Sequence, residues 1–138
     1  MSLVLDNSVA IEWLIAADPQ AAAARLVRRH DAELLVPSIF WIELIYVFGK
    51  HIKRGWMDRP FRDQCLRRLR RFDPLTDLEA AAPGPALDRA LSLGDQTGTT
   101  VYDAVYLELA LRSSSPLATF DAGLARAARS LGVGVIDA

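Results

Sequence analysis

The chain has 138 residues, 51% hydrophobic and 24% charged, with a formal net charge of −1 and a single cysteine, Cys65. This suits one domain with a real core over 1–138 and excludes a disordered chain and an internal disulfide, which favours a reducing, cytoplasmic setting. No basic region precedes the first apolar residues, which Asp6 and Glu12 interrupt, so a secretory leader is not expected; the most apolar stretch, 34–48, is too short to span a bilayer and contains Pro37 and Glu43.

The near-neutral total hides an asymmetry. Residues 50–71 hold nine Lys/Arg against two acids, which leaves +7, and the remainder is −8. Such a basic segment suits either a polyanion or a solvated helical face.

In chain order, Leu3-Val4-Leu5 reads as a short buried strand that stops at Asp6. Ser8 can cap a helix carrying Val9, Ile11, Trp13 and Leu14. A second helix is predicted from Pro19 to His30. "ELLVP" is the next strand. After it, Ser38 caps a helix to about Arg54 whose apolar stripe is Trp41, Leu44, Ile45 and Phe48. Gly55 stops that helix, and Pro60 opens an arginine-rich one that ends near Phe72. "DPLTD" holds a short strand, and Pro83-Gly84-Pro85 rules out one continuous helix from Ala80 to Gly94. "GDQTG" is read as a turn, after which Thr99 or Thr100 caps the helix "VYDAVYLELALRS". "SPLATF" is a strand, Asp121 comes directly after it, and "AGLARAARSLG" is a helix with Gly132 past its end. "VGVI" is the last strand. Alternating strands and helices without a hairpin predict an α/β fold, a three-layer α/β/α sandwich around a mainly parallel sheet, with sites beyond the carboxyl ends of the strands.

Four acids fall where such a site would form. Asp6 and Asp121 come after strands, although each can equally cap a helix. Glu43 is the only charged residue between Leu34 and Phe48, and a carboxylate in apolar surroundings must reach solvent, a cation or a metal. Asp103 lies in the first turn of its helix, three residues after Thr100, the spacing of a capping box. Each alone has a structural explanation. Together they form an all-oxygen donor set that suits Mg²⁺ or Mn²⁺ and, through such ions, phosphodiester cleavage. The basic segment, with Arg67, Arg68 and Arg71, would then hold the substrate backbone.

The segments "LVLDNSVAIEWL", "LLVPSIFWIELIYVF", "TTVYDAVYLELAL" and "LATFDAGLARAAR" resemble, in order and over essentially the whole chain, the PIN-domain ribonucleases, particularly the VapC-type toxins of bacterial toxin–antitoxin pairs. The resemblance implies Asp6, Glu43, Asp103 and Asp121 as catalytic and metal-binding residues, with Thr119 in support. It also implies a Mg²⁺- or Mn²⁺-dependent endoribonuclease that leaves 5′-phosphate and 3′-hydroxyl ends, forms a homodimer, and is inhibited by a small DNA-binding antitoxin. An alternative from another class is a non-catalytic PIN-like module that binds RNA or protein.

Other chemistries lack their residues. A haloacid dehalogenase-type phosphatase needs a second Asp two positions after the first, where Ser8 stands. A receiver domain needs an acid pair and a late Lys. No phosphate-binding loop is formed at Gly94 or Gly98, and no nucleophile elbow is present. His30 and His51 sit in basic helix ends and suit dipole compensation. Cys65 lies among arginines, which would lower its pKa, but nothing marks it as a nucleophile. Trp13, Phe40, Trp41 and Tyr106 read as core.

Overall fold

The computed structural model describes residues 2–16 and 33–136; the helix expected over 19–30, with His30, lies outside them. β1 (Ser2–Leu5) runs between β2 (Glu33–Pro37) and β4 (Leu117–Ala118), and β3 (Leu75–Asp77) and β5 (Val135–Ile136) take the edges, in the order β3-β2-β1-β4-β5. All four pairings are parallel. Leu3, Val4 and Leu5 are all buried, as a central strand with both faces covered requires.

Helix α5 (Val101–Arg112) lies on β1, β2 and β4, and every residue from Ala104 to Ala110 is buried. α1 (Asn7–Ile15) packs with α2 (Ile39–Lys53) and α3 (Arg59–Arg71). α4 (Pro85–Thr97) packs along α5, and α6 (Ala122–Ser130) packs against α5 and β5. The result is the three-layer α/β/α sandwich. Its sheet is wholly parallel, a step beyond the mainly parallel sheet expected from the alternation of elements.

Two local expectations change. The buried stripe of α2 is Phe40, Leu44 and Phe48; Trp41 is only partly buried and Ile45 is exposed beside Ile42 and Tyr46. The stripe is thus rotated toward Phe40. Trp41 instead spans to the sheet edge, its indole Nε1 donating to Thr76 Oγ1 of β3 at 2.9 Å. Second, "GDQTG" is not a turn: α4 runs through it to Thr97 and ends at Gly98 in the left-handed conformation, φ 70°. At Gly94 the helix lies close to the start of α5: a Cβ there would stand 3.4 Å from Thr99 O and 3.6 Å from Ala104 Cβ, ordinary contact distances. Of the two candidate caps for α5, Thr100 serves, its hydroxyl accepting from the Asp103 N–H.

Cys65 is fully buried and its thiol donates to Leu14 O. Burial pushes the thiol pKa up, and Arg68 opposes that only in second place. The lowering expected from the neighbouring arginines is outweighed, because the side chain points into the core.

One buried charge sits away from the carboxyl edge. Glu108, 2% exposed, accepts two hydrogen bonds from Arg112 Nε at 2.9 and 3.1 Å, while the same guanidinium grips Asp77 of β3 with its other nitrogens. These bonds hold the Arg112 pKa above its ordinary value. Without Arg112, Glu108 retains only Arg89, at 3.9 Å. Arg112→Ala is therefore expected to destabilise by about 3 kcal/mol in denaturant unfolding, since a buried carboxylate is left nearly uncompensated.

Candidate active site

The strand order reverses at β1, with β2 and β3 on one side and β4 and β5 on the other. In open parallel sheets the crevice beyond the carboxyl ends of the strands at that point is where ligands bind. The four acids gather there from four connections: Asp6 after β1, Glu43 in the first turns of α2 after β2, Asp103 in the first turn of α5, and Asp121 after β4.

Asp6 is buried, 9% exposed, and occupies the N-cap position of α1, yet its side chain makes no capping bond. Its Oδ2 accepts from Ser8 Oγ and from Thr119 Oγ1, each at 2.7 Å. The two hydroxyls are themselves oriented by backbone donors: Phe120 N–H to Ser8 Oγ at 2.9 Å and Asp121 N–H to Thr119 Oγ1 at 3.0 Å. With lone pairs so occupied, both hydroxyl protons go to the carboxylate. Oδ1 takes no hydrogen bond among the described residues.

The same division recurs. Glu43 Oε1 accepts from Tyr106 Oη at 3.1 Å and from Asn7 Nδ2 at 3.3 Å, and Oε2 takes nothing from the described residues. Asp121 Oδ1 caps α6 by accepting the Leu124 N–H at 2.8 Å, and its Oδ2 has no such bond. Gly123 leaves room for that cap, since a Cβ there would stand 3.3 Å from Asp121 Oδ1. Asp121 is thus both a cap and a member of the cluster. Three carboxylates each give one oxygen to the scaffold and keep the other free.

Among the described residues, none of the four acids makes an ion pair. Burial raises the Glu43 pKa; the Tyr106 hydrogen bond pulls it back, and the charges of Asp6 and Asp103 raise it further. Burial likewise raises Asp103, with Asp121 and then Asp6 adding to it. Asp103 is thus linked electrostatically to each of the other three acids, and Asp6 also to Glu43. Among the described residues no three His, Cys, Asp or Glu stand close enough to form a ready-made ion cage. A hard divalent cation held by one or two carboxylates, with water or phosphate completing its shell, does not require one. The donor set is all oxygen and has no compensating ion pair among the described residues, so the residues present fit Mg²⁺ or Mn²⁺.

The arginines form a separate group. Gln64, Arg67, Arg68 and Arg71 of α3 line a concavity of about 420 Å³. Arg67 and Arg71 are exposed. Arg68 is more committed: its guanidinium lies over the Trp13 ring at 5.5 Å and donates to Leu14 O at 3.1 Å. Leu14 is eight residues along α1 from Asp6, about 12 Å at 1.5 Å per residue.

Sequence reasoning misses three residues of the site: Asn7, Ser8 and Tyr106. By sequence Ser8 reads as a cap and Tyr106 as core, while Asn7 has no role. A hydroxyl two residues after a strand-ending Asp is the available signal for Ser8. Tyr106 is indeed core, 1% exposed, but its hydroxyl reaches the site.

The PIN domain family profile matches residues 3–130, so the chain belongs to the PIN domain family. Among solved structures it is similar to PAE2754 from Pyrobaculum aerophilum, at 22% identity and TM-score 0.72 over 98% of this chain and 83% of that one. It is also similar to VapBC2 from Rickettsia felis bound to a DNA fragment from their promoter, at 12% identity and TM-score 0.72 over 99% and 98% of the two chains. A third is FitAcB from Neisseria gonorrhoeae, at 18% identity and TM-score 0.63 over 98% and 96%. No curated protein matches the chain in sequence.

The raised acids set a pH dependence. A carboxyl whose pKa is higher folded than unfolded contributes stability below the unfolded value, and that contribution is lost as pH rises through the folded one. In chelator, Glu43→Gln removes Glu43's share of this loss. Its melting temperature relative to the parent protein is expected to rise between about pH 4 and pH 7; a gap constant with pH would show that Glu43 is not strained.

Proposed function

We propose that this protein is a metal-dependent endoribonuclease and the toxin of a toxin–antitoxin pair. The observation that carries the reading is the convergence of Asp6, Glu43, Asp103 and Asp121 at the switch point of the sheet, with no cation among the described residues to balance them, in a chain of the PIN domain family. The toxin role is supported by a further solved relative described as a toxin–antitoxin complex from Klebsiella pneumoniae, at 14% identity and TM-score 0.65, and by the similarity to VapBC2.

Asp6, Glu43, Asp103 and Asp121 would hold Mg²⁺ or Mn²⁺, which when bound supplies an activated water and neutralises charge developing on a phosphate. Ser8 and Thr119 fix Asp6 so that Oδ1 alone is offered. The cap to Leu124 N–H does the same for Asp121. With these oxygens directed, little rearrangement is needed when charge enters the site. Arg67 and Arg71, exposed on the helix whose Arg68 reaches Leu14 of α1, offer guanidinium groups to neighbouring phosphates of a single strand. The partner proposed for the protein is a small antitoxin, with a second copy of the chain completing a homodimer, in the cytoplasm. Among the described residues no helix is long and apolar enough to cross a membrane.

Incubation of the purified protein with a mixed RNA pool, with Mg²⁺, Mn²⁺ or chelator, and then sequencing of the ends, tests the activity. Cleavage is expected with metal and none with chelator, and Glu43→Gln should lower the rate by about 100-fold. Folded protein that binds RNA but cuts nothing with any metal would favour the binding-module reading. A second outcome concerns the arginines. The double variant Arg67→Ala/Arg71→Ala should weaken RNA binding and reduce the slope of log affinity against log salt by roughly 1.4, at 0.7 per lost phosphate contact on a single strand. Arg68→Ala should instead lower stability, because it strips Trp13 and Leu14 of a partner.

A further inference from the structure

We propose that Asn7 and Tyr106 are positioning residues that lock Glu43 in a single orientation, by jointly holding its Oε1 so that Oε2 is the oxygen presented to the carboxylate cluster. The inference rests on the ribonuclease reading and names a part of the site that the four acids do not supply.

Three contacts close a small ring. Asn7 Nδ2 donates to Tyr106 Oη at 3.0 Å and to Glu43 Oε1 at 3.3 Å, and Tyr106 Oη donates to the same Oε1 at 3.1 Å. The direction of each bond comes from the inventory of protons. A tyrosine hydroxyl has one. Since its oxygen already receives an amide N–H, its own proton goes to the carboxylate. The Asn7 amide has two N–H groups and uses one for each neighbour. Turned the other way, it would set its carbonyl against the Glu43 carboxylate. Two of the three hydrogen bonds therefore end on one oxygen of Glu43, and the third orients the tyrosine hydroxyl that makes one of them.

The arrangement favours Glu43 at the expense of Asn7. Asn7 is 9% exposed, and its Oδ1 is the one buried side-chain polar atom among the described residues that lacks a partner. A buried acceptor without a donor is unfavourable, and an amide placed for stability alone would find one. The terminal torsion of an unrestrained glutamate is broad. Here the carboxylate is tied down while its Oε2 stays free. Tyr106 can serve as a fixed post because its ring is sealed in the core, with only the hydroxyl emerging beside Glu43. The ring draws on three elements: Asn7 opens α1 immediately after Asp6, Glu43 is on α2 and Tyr106 is on α5. It thus fixes Glu43 relative to Asp6 and to the helix that carries Asp103.

The test uses Tyr106→Phe, which removes one oxygen and leaves the ring, with calorimetric titration of Mn²⁺ into the folded protein beside RNA cleavage at graded Mn²⁺. Partners of this kind behind a metal ligand typically change affinity by 10–100-fold. The expected result is a Mn²⁺ Kd at least 10-fold weaker, with circular dichroism retained, and a cleavage rate that recovers toward that of the parent when Mn²⁺ is raised to saturation. A Mn²⁺ Kd within twofold of the parent overturns the proposal. So does a cleavage rate that stays low at saturating metal with affinity unchanged, which would place Tyr106 in another role. Should Tyr106→Phe fail to fold, Asn7→Ala gives the same reading by the same titration: a weakened Kd supports the proposal and an unchanged one overturns it. Parent protein that takes up no Mn²⁺ and cuts no RNA overturns the ribonuclease reading itself, and the lock with it. Parent protein that does both, beside a Tyr106→Phe variant of unchanged affinity, removes only the lock.

Discussion

β1 pairs in parallel with β2 on one side and β4 on the other, and that pairing brings distant residues to one edge. Ser8 and Asp6 leave the sheet at the end of β1, and Thr119 leaves it at the end of β4, more than a hundred residues later. Because the strands run side by side in the same direction, both hydroxyls meet the same oxygen of Asp6. The backbone bond from Asp6 N–H to Ala118 O, at 3.0 Å, closes the seam just below them. A slip in that register would remove a donor from Asp6 and carry Asp121 away with it.

The carboxylates at this edge have no ion-pair partner among the described residues, and the fold anchors one side of Asp6, Glu43 and Asp121. Hydrogen bonds to those three offset part of the burial, but the anchors do nothing about repulsion between charges. That residual strain is what a cation would relieve. Glu108 is handled differently: it is more deeply buried than any of the four and is paired with Arg112. The molecule thus gives one buried carboxylate a guanidinium, while buried Asp6, half-buried Glu43 and Asp103, and exposed Asp121 have none among the described residues.

Much of this is legible in the sequence. The strand ends, the isolated acid in an apolar helix and the first-turn Asp103 have local signatures, and the parallel architecture is implied by the alternation of elements. What escapes depends on contacts between distant segments. Asp6 has the sequence signature of a cap and sits in the capping position, but its side chain turns to Thr119, which no local pattern foretells. Tyr106 at helical spacing among Leu and Val is core by every sequence criterion, and only the approach of α2 gives its hydroxyl a task. The helical course of "GDQTG" likewise escapes a local reading: two glycines mark a turn by sequence, yet only Gly98, in the left-handed region, ends the helix.

α2 carries a different tension. Ile42, Ile45 and Tyr46 are exposed and lie within three positions of Glu43 on the same short stretch of helix. Residues three and four apart on a helix share a face, so Glu43 and Tyr46 are neighbours, as are Ile42 and Tyr46. Any body that shields these apolar side chains from water must therefore come within about one helical turn of a carboxylate of the proposed active site. Shielding and access compete for the same few ångströms. A substitution chosen to make this surface more soluble would alter both at once, and its effect on cell growth would not reveal which of the two had changed.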